Sequence, residues 1–162
     1  FIDADMRKGY AHKLFKFTGE EGLSDILSGK INVNNIDKSV PSIGIDFIAR
    51  GKVPPNPSEL LMHKRFNALL EWASDNYDLV IVDTPPILAV TDAAIIGRSV
   101  GTSLLVARYG TNTVKEVEIS IRRFEHVGVQ IKGCILNSVI KKASSYYGYG
   151  YSNYSYDYSE DK

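Results

Sequence analysis

One cysteine is all that this 162-residue chain carries, so no disulfide can form within it. That residue, Cys134, lies in the apolar run GCILN and is expected to be a buried core thiol, which fits a reducing compartment. An excess of either charge is also missing: nineteen Lys plus Arg balance nineteen Asp plus Glu. A general nucleic-acid surface needs a basic surplus, and that class is excluded. No apolar run approaches the roughly eighteen residues of a membrane helix and no secretory leader is visible, so the chain as it stands is expected to be soluble. The three histidines, His12, His63 and His126, are scattered and make neither a metal cluster nor a catalytic triad. The phosphate-cradling pattern G-x-x-x-x-G-K-[ST] is absent as well. Gly29-Lys30 runs into Ile31 and Gly51-Lys52 into Val53, with Ser24 and Asp46 where the leading glycine belongs. The opening Phe1-Ile2-Asp3 reads as the end of a buried strand whose earlier part is missing, which places any such cradle upstream of Phe1 in a longer polypeptide.

What is present is ordinary for one globular domain: 44% hydrophobic and 23% charged residues. Short apolar runs, two of them ending in an acid, occur at 1–2, 45–49, 79–83, 103–107 and 131–136. Lacking alternation, they read as strands buried on both faces, as in a parallel sheet. Between them lie helical patterns. Asn56-Pro57-Ser58-Glu59 opens one with an N-cap, a first-turn proline and an acid at N3, and it is expected to run to about residue 76. Its buried side would carry Leu60, Leu61, Phe66, Leu69, Leu70 and Ala73. Trp72 on the same helix is expected to pack. A second helix is expected over 113–127, burying Val114, Val117, Ile121 and Phe124. Shorter helices are expected over 22–27 and 91–98. Strands alternating with helices imply an α/β layered fold with a mainly parallel sheet over residues 1–140.

Chemistry in such sheets collects at the carboxyl ends of the strands. Asp3, Asp5 and Arg7 follow the first strand, and Asp83 ends the run LVIVD. Four apolar residues and an Asp match a Walker B pattern, although many strands also end in Asp at a turn. Neighbouring strands would bring three carboxylates together. Such a group repels itself unless a divalent cation is held there. Arg7 would pair with these acids or touch phosphate. Asn137, which ends the 131–136 strand, is either a turn former or a base contact. Arg122-Arg123 and Lys141-Lys142 are either solvated charge or acceptors for a phosphate or an acidic surface.

Residues 141–162 differ in kind. The last nineteen residues hold Tyr146, Tyr147, Tyr149, Tyr151, Tyr154, Tyr156 and Tyr158 among Gly, Ser, Asn and Asp, without a Leu, Ile or Val. With nothing aliphatic to bury, this segment is expected to be a flexible tail. It is either an adhesive low-complexity arm or a set of phenols offered for phosphorylation.

Taken together, the motifs resemble one family. FIDADMRKGY is similar to the second, A-prime Walker motif of the bacterial tyrosine kinases, the autokinases of capsule and exopolysaccharide export. LVIVDTPPILAVTDAA resembles their Walker B segment, RGKVPPNPSELL a further pattern, and the tyrosine tail completes the order. The resemblance is to the proteobacterial polysaccharide co-polymerase type. It implies a P-loop NTPase-like fold and an ATP- and Mg²⁺-dependent protein-tyrosine kinase that phosphorylates its own C-terminal tyrosines, between subunits. In that setting Asp3 and Asp5 lie at the γ-phosphate and Mg²⁺, Asp3 before Asp5 as base toward the tyrosine hydroxyl. Asp83, with Asp5, holds the metal. Arg7 and Asn137 are implied at the nucleotide, and Tyr10 as a second, regulatory phosphorylation site unless its phenol is buried or faces a partner. Implied partners are further copies in a ring, a tyrosine phosphatase and the polysaccharide export machinery. The implied location is the cytoplasmic face of the inner membrane, reached only through segments upstream. Without the cradle, the 162 residues alone are expected to be inactive. The alternatives are a partitioning- or septum-positioning-type ATPase, or a non-catalytic partner with a degenerate nucleotide fold.

Overall fold

The computed structural model describes residues 1–17, 21–36 and 38–140. Lys141, Lys142 and the seven tail tyrosines lie outside the described residues. The opening apolar stub forms β1 (Ile2–Asp3), parallel to β4 (Val82–Asp83), with Ile2 opposite Val82 and Asp3 opposite Asp83. Parallel strands need a long crossover. Here it carries α1 (Ala11–Leu14), α2 (Leu23–Ser28), a 3₁₀ turn (Val33–Asn35), the antiparallel pair β2 (Ser39–Val40) and β3 (Ile45–Asp46), α3 (Pro57–Met62) and α4 (Lys64–Asn76). Beyond β4 come α5 (Asp92–Gly97), β5 (Ser103–Arg108), α6 (Val114–Glu125) and β6 (Ile131–Asn137). β5 and β6 are again parallel, from Ser103 opposite Ile131 to Arg108 opposite Asn137. The layered α/β class expected from the alternation is what forms.

The main core lies against β1: Ile2, Met6, Leu23, Leu27, Ile48, Leu61, Phe66 and Leu69 are buried together, with Trp72 packed against them. Phe47 is buried in a second cluster with Ala11 and Val40, flanked by Phe1, Phe15 and Phe17. A third, smaller cluster joins Ile87, Ala93, Ala94, Phe124 and Val129.

Several local expectations need correcting. The helix over 56–76 is two helices, because His63 is extended (φ −71°, ψ 144°) and its ring nitrogen caps α4 by accepting from the Arg65 amide at 3.2 Å. The break lets Leu61 and Phe66 both reach the main core. Asn56 does not cap α3 through its side chain; its Nδ2 donates to Glu59 Oε2 at 2.6 Å. The run 45–49 changes partner partway, with Ile45–Asp46 pairing β2 and Ile48 bridging Ile2 in parallel. α6 has a true capping box between Thr113 and Glu116, yet Val114 is 76% exposed because the buried stripe passes through Ser120 and Phe124. Strands β5 and β6 are not buried on both faces: Leu104 and Val106 are 57% and 60% exposed. Cys134 is exposed for the same reason, since no described element covers that part of β6. No helix among the described residues is long and apolar enough to cross a membrane.

Candidate active site

The register of β1 on β4 does the first part of the assembly, since two strands that end together put Asp3 and Asp83 side by side. The Ala4 amide then donates to the Asp83 carbonyl at 2.9 Å, holding the following loop to the end of β4. Residues 4–9 wind around their own carboxylates. The Asp5 amide donates to Asp3 Oδ1 at 3.2 Å, and Asp5 Oδ1 accepts from the amides of Arg7 and Lys8 at 3.1 and 2.9 Å. The Gly9 amide closes the turn on the Asp5 carbonyl at 2.8 Å. Only glycine fits there, because a Cβ on Gly9 would lie 2.4 Å from Asp3 Oδ1 and 2.5 Å from the Asp5 carbonyl oxygen.

Electrostatics at this corner are unfavourable as they stand. Asp3 is completely buried and its Oδ2 has no hydrogen-bond partner. Burial first, then repulsion from Asp83 and Asp5, pushes its pKa up to about 6, against the pull of the Asp5 and Ala11 amides. Asp83 is raised too, by burial and by the Asp5 charge, with the Thr84 amide opposing. An orphaned oxygen amid mutually repelling carboxylates fits a divalent cation. Among the described residues no group of three or more His, Cys, Asp or Glu is placed to hold a metal ion. Mg²⁺ is commonly held by one or two carboxylates with waters and phosphate oxygens completing its shell, which needs no such group.

Asp92, in the first turn of α5, was not singled out by the sequence reading. It is fully buried, and its Oδ2 accepts from Arg7 Nε at 2.8 Å. Its Oδ1 accepts from Arg7 Nη2 at 3.2 Å and from Ser58 Oγ at 2.6 Å. Burial works against the ionised form. The hydrogen bonds of Arg7 and Ser58 and the Arg7 charge outweigh it and hold the Asp92 pKa below the usual carboxylate range. Arg7 is correspondingly held above the usual guanidinium value. Asp92 lies within the segment LVIVDTPPILAVTDAA, but its pairing with Arg7 and Ser58 is visible only in the fold.

The remaining candidates are dispersed. Asn137 ends β6, where its Oδ1 accepts from the Ser138 amide at 2.7 Å in a local turn. β5 and β6 pair with one another and not with β1 or β4 among the described residues. Tyr10 is 59% exposed, with Lys13 Nζ 4.7 Å from its ring centre, so its phenol is not a core group. Arg123 braces the loop after β4, donating to the carbonyls of Ile87 and Leu88 at 2.9 and 3.1 Å. A concavity of about 380 Å³ lies between Ile95, Arg98 and Val127, away from the carboxylates.

A layered α/β fold with acids at the ends of adjacent parallel strands is the arrangement found in P-loop NTPase-like proteins and in other α/β folds that bind ligands at strand ends. No protein-family model matches the chain. It is 62% identical over 149 residues to the tyrosine-protein kinase etk of Escherichia coli K12, covering 92% of this chain and 20% of that protein. To the tyrosine-protein kinase wzc of Salmonella typhi it is 58% identical over 160 residues, 99% of this chain and 22% of that one. Among solved structures, the kinase domain of the Escherichia coli tyrosine kinase ETK superposes with a TM-score of 0.86 at 63% identity, covering 93% of this chain and 59% of that one. The chain belongs to the bacterial tyrosine kinase family. It spans about a fifth of the length of the curated relatives it matches.

Proposed function

We propose that this protein is an ATP-dependent protein-tyrosine autokinase that phosphorylates its C-terminal tyrosines, between subunits, and so regulates capsular or exopolysaccharide polymerisation and export. The observation that carries this reading is the meeting of Asp3, Asp5 and Asp83 at the ends of two parallel strands. Asp5 and Asp83 would hold Mg²⁺, which when bound offsets the negative charge of the transferring phosphoryl group. Holding that charge in place is most of what the protein contributes, because phosphoryl transfer depends on positioning and electrostatics.

Asp3 is suited to accept the phenol proton, since a pKa raised to about 6 makes the carboxylate a better base near neutral pH. The phenol oxygen then bonds to the γ-phosphorus, the bond to the β–γ bridging oxygen breaks, and ADP leaves. As Asp3 is 0% exposed, an incoming phenol reaches it only if the loop 4–9 shifts. Asn137 and the exposed Tyr10 keep the roles that the resemblance implies, a base contact and a regulatory phosphorylation site. Phosphate at neutral pH adds roughly −1.5 to −2 charges per tyrosine, so a multiply phosphorylated tail would repel acidic surfaces and loosen a ring of subunits. A phosphatase would reverse this, and the cytoplasmic face of the inner membrane is where the export machinery would meet the ring.

The 162 residues contain no phosphate cradle, so by themselves they should not transfer phosphate. With labelled ATP, the full-length protein should label its tail tyrosines. Asp5→Asn and Asp83→Asn should each abolish that labelling, and the isolated 162 residues should show none in a single turnover. Full labelling of the Asp83→Asn protein would overturn the assignment.

A further inference from the structure

Burying a carboxylate is costly unless it is paired and hydrogen-bonded, and at Asp92 both oxygens are engaged. Arg7 reaches it through two nitrogens, Nε at 2.8 Å and Nη2 at 3.2 Å. Ser58 adds its Oγ at 2.6 Å and also accepts from Arg7 Nη2 at 3.1 Å. These side chains come from three separate places: the loop after β1, the first turn of α3 and the first turn of α5. A planar guanidinium held at two nitrogens cannot turn without breaking both bonds.

The backbone of Arg7 has a second task. Its amide is one of the two that hold Asp5 Oδ1, at 3.1 Å, and its carbonyl accepts from Arg50 Nη1 at 3.3 Å. Anchoring the Arg7 side chain therefore anchors the amide that orients Asp5. Asp92 lies nine residues beyond Asp83. The same anchor thus ties the segment after β4 to the loop after β1.

Resting on the reading of Asp5 and Asp83 as Mg²⁺-holding groups, we infer that Asp92 and Ser58 are positioning residues that lock Arg7 and thereby fix the Asp5 carboxylate relative to Asp83. Their hydrogen bonds are spent on Arg7 and on each other. Arg7 Nε and Nη2 are engaged by Asp92 and Ser58, so Arg7 serves as part of the frame. This role is the counterpart of the outer groups that orient metal ligands, whose loss lowers metal affinity or activity about 10- to 100-fold.

The test compares Asp92→Asn, Arg7→Lys, Ser58→Ala and Ser58→Thr in the full-length protein. Mn²⁺ binding in the presence of ADP is read by electron paramagnetic resonance, and amide hydrogen exchange at Arg7 and Lys8 is read without metal. Asp92→Asn should weaken Mn²⁺ binding by about tenfold and speed exchange at both amides. Arg7→Lys, which keeps the charge and loses the planar fork, should do the same. Ser58→Ala should have a smaller effect that Ser58→Thr, retaining the hydroxyl, restores. In phosphorylation assays kcat should fall while KM for ATP changes little. If Asp92→Asn does not fold, as judged by circular dichroism, Arg7→Lys and the Ser58 pair still decide the matter. Folded variants with wild-type Mn²⁺ affinity and wild-type exchange would overturn the inference. A wild-type protein that binds Mn²⁺ but transfers no phosphate to tyrosine would instead sink the kinase reading, leaving the metal and exchange results to judge the clamp.

Discussion

The part of the molecule built around β1 and β4 and the part built from β5, α6 and β6 are made of similar residues and are packed very differently. Around β1, Ile2, Met6, Leu23, Leu27 and Phe66 are at most 2% exposed, and helices from the crossover close over them. In the β5–β6 pair, Leu104, Val106, Ile135 and Leu136 are 49 to 60% exposed although the strands are longer and better paired. Within these 162 residues, which cover 59% of the kinase-domain structure they match, strand pairing and burial are therefore separate. Of the chemistry-bearing acids, Asp3 is buried beside the main core, Asp5 is half-buried and Asp83 is exposed, at the end of a run in which Leu79 and Ile81 are 73% and 50% exposed. The register of β1 on β4 is what keeps Asp3 and Asp83 side by side.

The sharpest break between the two parts comes from truncating one side chain in each. Phe66→Ala, at a fully buried site, should cost about 3–5 kcal/mol in urea unfolding. Val106→Ala, at a site 60% exposed, should stay within about 0.5 kcal/mol. Equal losses would mean that the β5–β6 face is covered in solution.

Next in size is the strain at the acids. The Asp3 pKa is raised from 3.8 to about 6 in the folded protein, so the folded state binds more protons than the unfolded state within that window. Metal-free stability should accordingly fall as pH rises from about 4 to about 6 and level off above it. Asp3→Asn removes the penalty and should stabilise the metal-free protein by about 3 kcal/mol at pH 7, a gain that vanishes near pH 4. A melting profile flat across that window, with no gain from the amide, would show that the carboxylates are not in conflict.

Smaller again is the start of α6, where Thr113→Ala removes the hydroxyl that accepts from the Glu116 amide at 3.2 Å. It should cost about 1 kcal/mol in the same unfolding titration. Smallest of all, Cys134→Ser should leave stability unchanged within about 0.5 kcal/mol, and the native thiol should react with a water-soluble disulfide reagent without denaturant. A thiol that reacts only on unfolding would place Cys134 in a core.

Much of the α/β order was legible because it rests on local patterns. The acid-ended runs LVIVD and FID, the Pro57 helix start and the Thr113 helix each announce themselves within a few residues. The split at His63 was not legible, since the periodic apolar residues continue across it and only the need to bring both Leu61 and Phe66 to one core forces the turn. Nor was the exposure of Cys134 and Val106, because an apolar run states what a strand prefers and not what lies over it. The candidate site divides the same way. Asp3, Asp5 and Asp83 were nameable from their places at or just past strand ends, while Asp92, although inside the segment LVIVDTPPILAVTDAA, shows its partners only once the fold buries it.

By itself the sequence determined the strand and helix alternation, the acids that end β1 and β4, the tyrosine-rich composition of the last nineteen residues and the family to which the motifs belong. These are properties of neighbouring residues, and side-chain alternation, caps and motif spacing encode them directly. Only the tertiary structure decided that Asp3 stands opposite Asp83, that Asp3 carries an unpartnered buried oxygen, and that Arg7 is spoken for by Asp92 and Ser58. Those pairings join residues up to 85 positions apart, and register, burial and charge balance between such residues arise only when the crossover packs down and excludes water.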